Sequence, residues 1–171
     1  MNMDDKDVKS RLLGITALAA EYCKLIEGAR EAEKDEFVKE LTEVLPRVYY
    51  EFASLGTEDV AVIDYGFYPA AVDEEWYEAL RRNMEQLLGA EDSYLETFEE
   101  DMKYSDTPIA ASISEGLADI FQALYNFLYT VKESEGTETA GAYCECRENF
   151  EGYWSQTLCN TLRALNHLRF G

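Results

Sequence analysis

The stretch TPIAASISEGLADIFQALYNFLYTVK, residues 107–132, decides the fold. Thr107 followed by Pro108 is a typical helix start, because a side-chain cap precedes a residue that needs no backbone donor. On a helical wheel most of the circumference behind them is apolar, namely Ile113, Leu117, Ile120, Leu124, Leu128 and Val131, flanked by Ala110, Phe121, Tyr125, Phe127 and Tyr129. A helix with so wide an apolar arc is normally central, so we predict a helix from Thr107 to about Lys132 that others surround.

Helical periodicity also extends to both sides of this stretch. Apolar residues recurring at steps of three and four predict further helices over about residues 8–27, 34–53, 74–88, 92–103 and 142–170. Gly28 and Gly89 are plausible helix ends, and Asp73 is a plausible N-cap. Pro46 lies inside the second helix, where proline removes a backbone hydrogen bond, so we expect a kink or a break there.

The stretch from Ser54 to Val72 lacks such periodicity but is rich in aromatic and branched side chains. A loop this long in a compact domain is usually functional or folded over the core, and we favour a covering role. The chain of 171 residues can bury a core of its own. We therefore expect one domain over residues 1–171, an all-α compact bundle of about six helices with one long ordered loop.

The charge limits the classes of partner. With 35 acidic and 15 basic residues the chain carries a formal charge of -20, and no Lys/Arg cluster is present to bind phosphates. Nucleic acids and anionic membranes are therefore excluded as partners. Solubility, a divalent cation, a basic partner protein or mimicry of nucleic acid would each suit such a surface.

Polar residues at the N-terminus and the lack of a long apolar run predict a cytoplasmic protein. The cysteines are then expected to be reduced thiols, and they are Cys23, Cys144, Cys146 and Cys159. Cys144 and Cys146 would diverge on a helix, and the single histidine, His167, is expected on an exposed face. We expect no cofactor.

A narrow polar strip interrupts the apolar helix, and its members are Glu115, Asp119, Gln122 and Asn126. Two carboxylates four residues apart repel each other, which a cation would offset. That cation is either a divalent metal or a basic side chain such as Arg147, whose guanidinium would be costly to leave unpaired near the apolar side of the last helix. A solvated strip without a ligand is the plainer interpretation.

A second acidic pair, Glu96 and Glu99, precedes the strip. Together with Glu115 and Asp119 it resembles the magnesium-binding pattern of the all-helical nucleoside triphosphate pyrophosphatases of the MazG and dimeric dUTPase kind. That resemblance implies Mg²⁺ bound by the four carboxylates. The match departs at Gly116, because the family carries a Glu three residues before the Asp.

A second resemblance spans nearly the whole chain. It is carried by the following stretches: LAAEYCKLIE (18–27), LPRVY (45–49), FEEDMKYSDTPIAASISEGLADIFQ (98–122), CRENFEGYW (146–154) and LRALNH (162–167). These are similar to the bacterial domain-of-unknown-function family 5063, found in the Bacteroides group. The resemblance implies an all-helical cytoplasmic domain and brings no activity with it.

The aromatic content exceeds what the apolar stripes require. Tyr and Trp favour interfaces, because they combine apolar area with a polar group. An interface would be built from Tyr65, Phe67, Tyr68 and Trp76. Our leading prediction is an acidic helical module that binds another protein or a second copy of itself, without catalysis. The alternatives are the Mg²⁺-dependent nucleotide pyrophosphohydrolase and the acidic nucleic-acid mimic.

Overall fold

A computed structural model describes residues 4–60, 66–96 and 109–171. Six α-helices and one short hairpin lie in these ranges: α1 (Asp5–Glu27), α2 (Lys34–Ser54), α3 (Glu74–Leu88), β1 (Ser93–Glu96), β2 (Ile109–Ser112), α4 (Ile113–Glu133), α5 (Thr139–Asn149) and α6 (Ser155–Phe170). A π-helical turn, Phe150–Trp154, joins α5 to α6. The predicted all-α class is confirmed. None of the helices in the described ranges is long and apolar enough to cross a membrane.

Helix α4 lies at the centre, as its wide apolar arc predicts. It packs against α1, α3, α5 and α6, and α2 completes the bundle by packing on α1 and α6. Leu117, Ile120, Phe121 and Leu124 have no exposed surface. Burial of this much apolar side-chain area is the main term that stabilises such a bundle.

Buried tyrosines tie the helices together through backbone carbonyls. The hydroxyl of Tyr22 donates to the carbonyl of Leu117 at 2.6 Å, and the hydroxyl of Tyr143 donates to the carbonyl of Leu55 at 2.6 Å. Each phenol thereby buries its ring without leaving a polar atom unpaired, which would cost about 1–3 kcal/mol.

The predicted break at Pro46 is wrong, because α2 continues through it to Ser54. Pro46 is exposed, whereas the neighbouring Val44, Leu45 and Val48 are buried. Packing of this apolar stripe outweighs the lost hydrogen bond, which is the usual way in which tertiary contacts override local preference.

The helix predicted over 92–103 is wrong in its described part. Ser93–Glu96 forms β1, antiparallel to β2, with Ser93 opposite Ser112 and Glu96 opposite Ile109. The reason lies in Asp92, which is buried and accepts bonds from the backbone N–H and the hydroxyl of Ser114, both at 2.7 Å. Its carboxylate therefore satisfies the first turn of α4 and does not cap a helix of its own.

The central helix begins later than predicted, at Ile113. Its N-cap is Ser112, whose hydroxyl accepts from the backbone N–H of Glu115 at 3.2 Å; Thr107 and Pro108 lie outside the described residues. The last predicted helix begins at Thr139, shortly before the predicted start at about residue 142. The π-helical turn Phe150–Trp154 divides it into α5 and α6. Such turns often accompany functional sites.

The long segment after α2 covers the core in its described parts. Val60 is 4% exposed and Val72 is 5% exposed. Residues 66–72, called the strap below, are held by Asn126 of α4, whose Oδ1 accepts from the backbone N–H of Ala71 at 2.8 Å and of Val72 at 3.3 Å. Most of the Val60–Ile63 run lies outside the described residues.

Candidate functional site: a tyrosine-bridged carboxylate, a helical groove and a strap pocket

Asp119, in the polar strip of α4, lies between two tyrosines. The hydroxyl of Tyr77, on α3, donates to its Oδ1 at 2.6 Å. The hydroxyl of Tyr153, in the π-helical turn, donates to its Oδ2 at 3.0 Å. Each carboxylate oxygen thus has a phenol as its partner, and three elements meet at one side chain.

The electrostatics keep both phenols protonated. Burial raises the pKa of Tyr77 strongly, and the hydrogen bond to Asp119 raises it further. Burial and the charge of Asp119 also raise the pKa of Tyr153. At neutral pH both hydroxyls are therefore donors, and Asp119 is their shared acceptor.

The remaining members of the predicted metal site are arranged differently. Glu115 is exposed at the first turn of α4, while the side chain of Glu96 and the whole of Glu99 lie outside the described residues. Gly116, where the pyrophosphatase pattern carries a Glu, faces α6: a Cβ there would lie 2.1 Å from Oγ1 of Thr161. No group of three or more His, Cys, Asp or Glu side chains converges within the described ranges.

The other polar residues singled out from the sequence have separate roles. Asn126 holds the strap, and Gln122 is half-buried on the same helix. Arg147 forms an ion pair with Glu151 at 2.8 Å, and its guanidinium carbon lies 5.6 Å from the centre of the Phe150 ring. The strip thus contains a strap anchor and a tyrosine-bridged carboxylate.

The residues of the predicted aromatic interface have different surroundings in the fold. Trp76 packs edge-on against Phe121 and Tyr125, with ring centres 5.4 Å and 4.7 Å away. Tyr68 is half-buried, and its hydroxyl donates to Glu138 at 2.9 Å; burial and this bond raise its pKa to about 12. Phe67 is 92% exposed, and Tyr65 lies outside the described residues.

An open groove runs between α1 and α2. One part of it, of about 460 Å³, is lined by Gly14 and Leu18 of α1 and by Pro46 and Tyr50 of α2. A second part, of about 500 Å³, continues past Arg47 towards Leu25 and Val44. We call the two parts together the α1–α2 groove.

A smaller cavity of about 190 Å³ lies beneath the strap. We call it the strap pocket, and its walls come from the strap, α4 and α5. Phe67, Tyr68 and Phe127 supply aromatic surface, and Glu145 and Asn126 supply polar groups. Oε2 of Glu145 is buried without a hydrogen-bond partner.

Comparisons with known proteins agree with the resemblance seen in the sequence. A family model described as "Domain of unknown function (DUF5063)" matches residues 6–171. The chain belongs to this family. Among solved structures, protein BF1032 from Bacteroides fragilis is 28% identical, with a TM-score of 0.79 over 94% of this chain and 93% of that one. A comparison with curated proteins found no match.

In this DUF5063 chain the sequence pointed to some site residues and missed others. Asp119 and Asn126 are recognisable in the sequence as polar positions on an apolar helix, but Tyr77 and Tyr153, the partners of Asp119, resemble ordinary aromatic residues there. Gly14 carried a readable signal, a glycine inside an unbroken helical pattern. Glu145 carried no such signal, because the burial of its Oε2 depends on how the strap and α5 pack.

Proposed function

We propose that this DUF5063 chain is a cytoplasmic, non-catalytic protein-interaction module of one domain that binds a helical segment of a basic partner protein in its α1–α2 groove. The observation that supports this is the presence of Gly14 and Pro46 in the same groove, one on each helix.

Both residues are expensive in the interior of a helix. Glycine costs about 1 kcal/mol relative to alanine, and proline costs about 3 kcal/mol. At Gly14 a Cβ would meet nothing within 4 Å, and Pro46 is exposed. Packing inside the folded chain therefore does not require either residue. A partner that approaches the backbone closely at this groove would require a residue without a bulky side chain at Gly14 and an exposed, unpaired backbone at Pro46.

Exposed apolar side chains on the two helices of the groove fit the same purpose. Leu13, next to Gly14, is 73% exposed, and Tyr50 is 65% exposed. A helix that lays an apolar face between two others uses such anchors at its contact line. Tyrosine is enriched among the few residues that contribute most of the binding energy of typical interfaces.

The charge of the chain favours a basic partner protein over a second copy of the chain. At -20, two copies repel each other, whereas a basic protein is attracted and steered towards the surface. Within the groove, the ion pairs Arg47–Glu21 at 3.1 Å and Arg11–Glu51 at 2.8 Å are partly exposed. The Lys and Arg side chains of a basic helix can compete with Arg47 and Arg11 for the carboxylates of Glu21 and Glu51.

The experiment places a photo-crosslinking residue at Tyr50 in cells of the species that encodes the chain, with Glu135, exposed and beyond α4, as the control position. A discrete basic protein captured from Tyr50 alone is expected.

Gly14→Leu should abolish its capture and its binding in purified form. Gly152→Leu, which also fills open space but lies in the π-helical turn outside the groove, should leave both unchanged. Equal capture from the two positions, or binding that survives Gly14→Leu, would refute the proposal.

A further inference from the structure

The strap pocket contains a polar group that the folded chain leaves unsatisfied. Oε2 of Glu145 is buried and has no hydrogen-bond partner. A buried carboxylate oxygen normally has a donor or a cation beside it, because desolvation of a charged group is costly. The pocket therefore presents one carboxylate oxygen, Oε2 of Glu145, without a donor.

The charges around Glu145 do not compensate its carboxylate. Burial raises the pKa of Glu145, the backbone N–H of Tyr68 partly offsets this, and the nearby carboxylate of Glu148 raises it again. Arg147, two residues along α5, is paired with Glu151. A positively charged group in the pocket would supply the compensating charge that these neighbours do not give the Glu145 carboxylate.

The rest of the lining is aromatic or small. Phe127 is buried in the wall, Tyr68 is half-buried, and Phe67 lies at the mouth with 92% of its surface exposed. Ring faces attract ammonium groups, and an aromatic wall combined with one carboxylate is a common way to bind them. Ala123 and Ala142 leave room between the rings.

We propose that the strap pocket binds an alkylammonium group, with the Glu145 carboxylate as its counterion and the rings of Phe67, Tyr68 and Phe127 around its alkyl chain. A free primary amine and a lysine side chain of another protein share this chemistry. The cavity of about 190 Å³ is many times the 10–15 Å³ or so that a single water requires, so a short alkyl chain fits. This site is separate from the α1–α2 groove and does not depend on the function proposed for it.

The test measures binding of n-butylammonium chloride to the full chain by calorimetry and by the shift in Tm, with n-butanol as the neutral probe. The matched variants are Glu145→Gln and Glu148→Gln, which remove the same charge at a half-buried and at an exposed site. Saturable binding is expected in the wild type and in Glu148→Gln. It should weaken at least tenfold in Glu145→Gln and be absent with n-butanol.

A second pair of probes distinguishes the sources of the ammonium group. Nα-acetyl-lysine methylamide that binds more tightly than n-butylammonium would assign the pocket to a lysine side chain, and the reverse order would assign it to a free amine. Acetylation of the lysine side chain should abolish its binding. Equal affinity of the wild type and Glu145→Gln for n-butylammonium, or no saturable binding by either cation, would overturn the proposal.

Discussion

The hydroxyl of Tyr77 on α3 donates a 2.6 Å hydrogen bond to Oδ1 of Asp119 on α4. Oδ2 of the same carboxylate accepts from Tyr153 at 3.0 Å. Because hydrogen bonds to an ionised acceptor are stronger than neutral ones, this bridge fixes α3 and the π-helical turn against the central helix. Asp119, one member of an i, i+4 acidic pair on α4, thus forms a structural joint between three elements.

Removal of the Tyr77 hydroxyl should weaken this joint. Tyr77→Phe is expected to lower the free energy of unfolding by about 1–2 kcal/mol, since a partly buried carboxylate oxygen loses its donor. Tyr153→Phe should cost less than about 1 kcal/mol, because Tyr153 is 61% exposed and water can replace its hydroxyl. Urea unfolding of both variants measures this, and an equal or reversed order would contradict it.

Much of the fold follows from the sequence because apolar periodicity and burial coincide. Of the residues predicted for the inner face of α4, Ile113, Leu117 and Leu124 have almost no exposed surface, whereas Leu128 and Val131 are half-buried. The hairpin did not follow, because Asp92 looks like a local N-cap while its carboxylate is used 22 residues away by Ser114. Local pattern cannot identify a capping partner that the tertiary fold supplies.

The candidate sites were less predictable than the helices. Pro46 looked like a helix breaker, because its position opposite Gly14 in a groove depends on how α1 and α2 pack. Gly116 looked like a departure from an acidic metal-binding pattern, and the structure gives its steric reason in Thr161. In both cases the role of the residue depends on its packing against a neighbouring helix, which the local sequence does not show.

The two glycines of α1 and α4 should respond in opposite directions to a methyl group. Gly14→Ala is expected to raise the free energy of unfolding by about 0.5–1 kcal/mol, since it restores helix propensity where the space is open. Gly116→Ala should lower it by about 1–3 kcal/mol, because its Cβ would collide with the buried Thr161. Thermal and urea unfolding of the pair provide the check, and stabilisation by both substitutions would disprove the steric account.

The four thiols should differ sharply in reactivity. Cys159 is exposed, whereas Cys23, Cys144 and Cys146 are buried. Burial also raises the pKa of Cys23 and of Cys146 well above the ordinary value, so little reactive thiolate forms at these sites. Native-state alkylation followed by mass spectrometry should label Cys159 first and the other three only on unfolding. Early labelling of Cys146 would show that the strap and α5 open readily.

Glu145 should make the stability of the chain depend on pH. Its pKa is raised in the folded state, so the folded chain binds this proton more readily than the unfolded chain does. The contribution to stability is therefore complete below the ordinary pKa of 4.5 and is lost as the pH rises through the higher folded value. Relative to Glu145→Gln, the wild type should become less stable as the pH rises from about 4.5 through the raised pKa of Glu145 in the folded state.

The control for that titration is Glu148→Gln, which removes an exposed carboxylate one turn away on α5. Urea unfolding of the three proteins at several pH values isolates the contribution of Glu145, because the wild type and Glu145→Gln share every other carboxylate and Glu148→Gln shows the effect of removing an exposed one. The decisive quantity is the difference in the free energy of unfolding between the wild type and Glu145→Gln. If this difference does not vary with pH, the Glu145 carboxylate is as well solvated in the folded state as in the unfolded one.

Asn126 should control whether the strap stays closed over its pocket. Asn126→Ala leaves the backbone N–H groups of Ala71 and Val72 without the acceptor that they share, which should cost about 1–3 kcal/mol and speed hydrogen exchange at these two amides. Asn126→Asp retains an acceptor oxygen at the same distance along the side chain, so both amides should stay protected. If exchange at Ala71 and Val72 is as slow in Asn126→Ala as in the wild type, the strap is held by contacts other than Asn126. The geometry of the strap pocket would then not depend on the polar strip of α4.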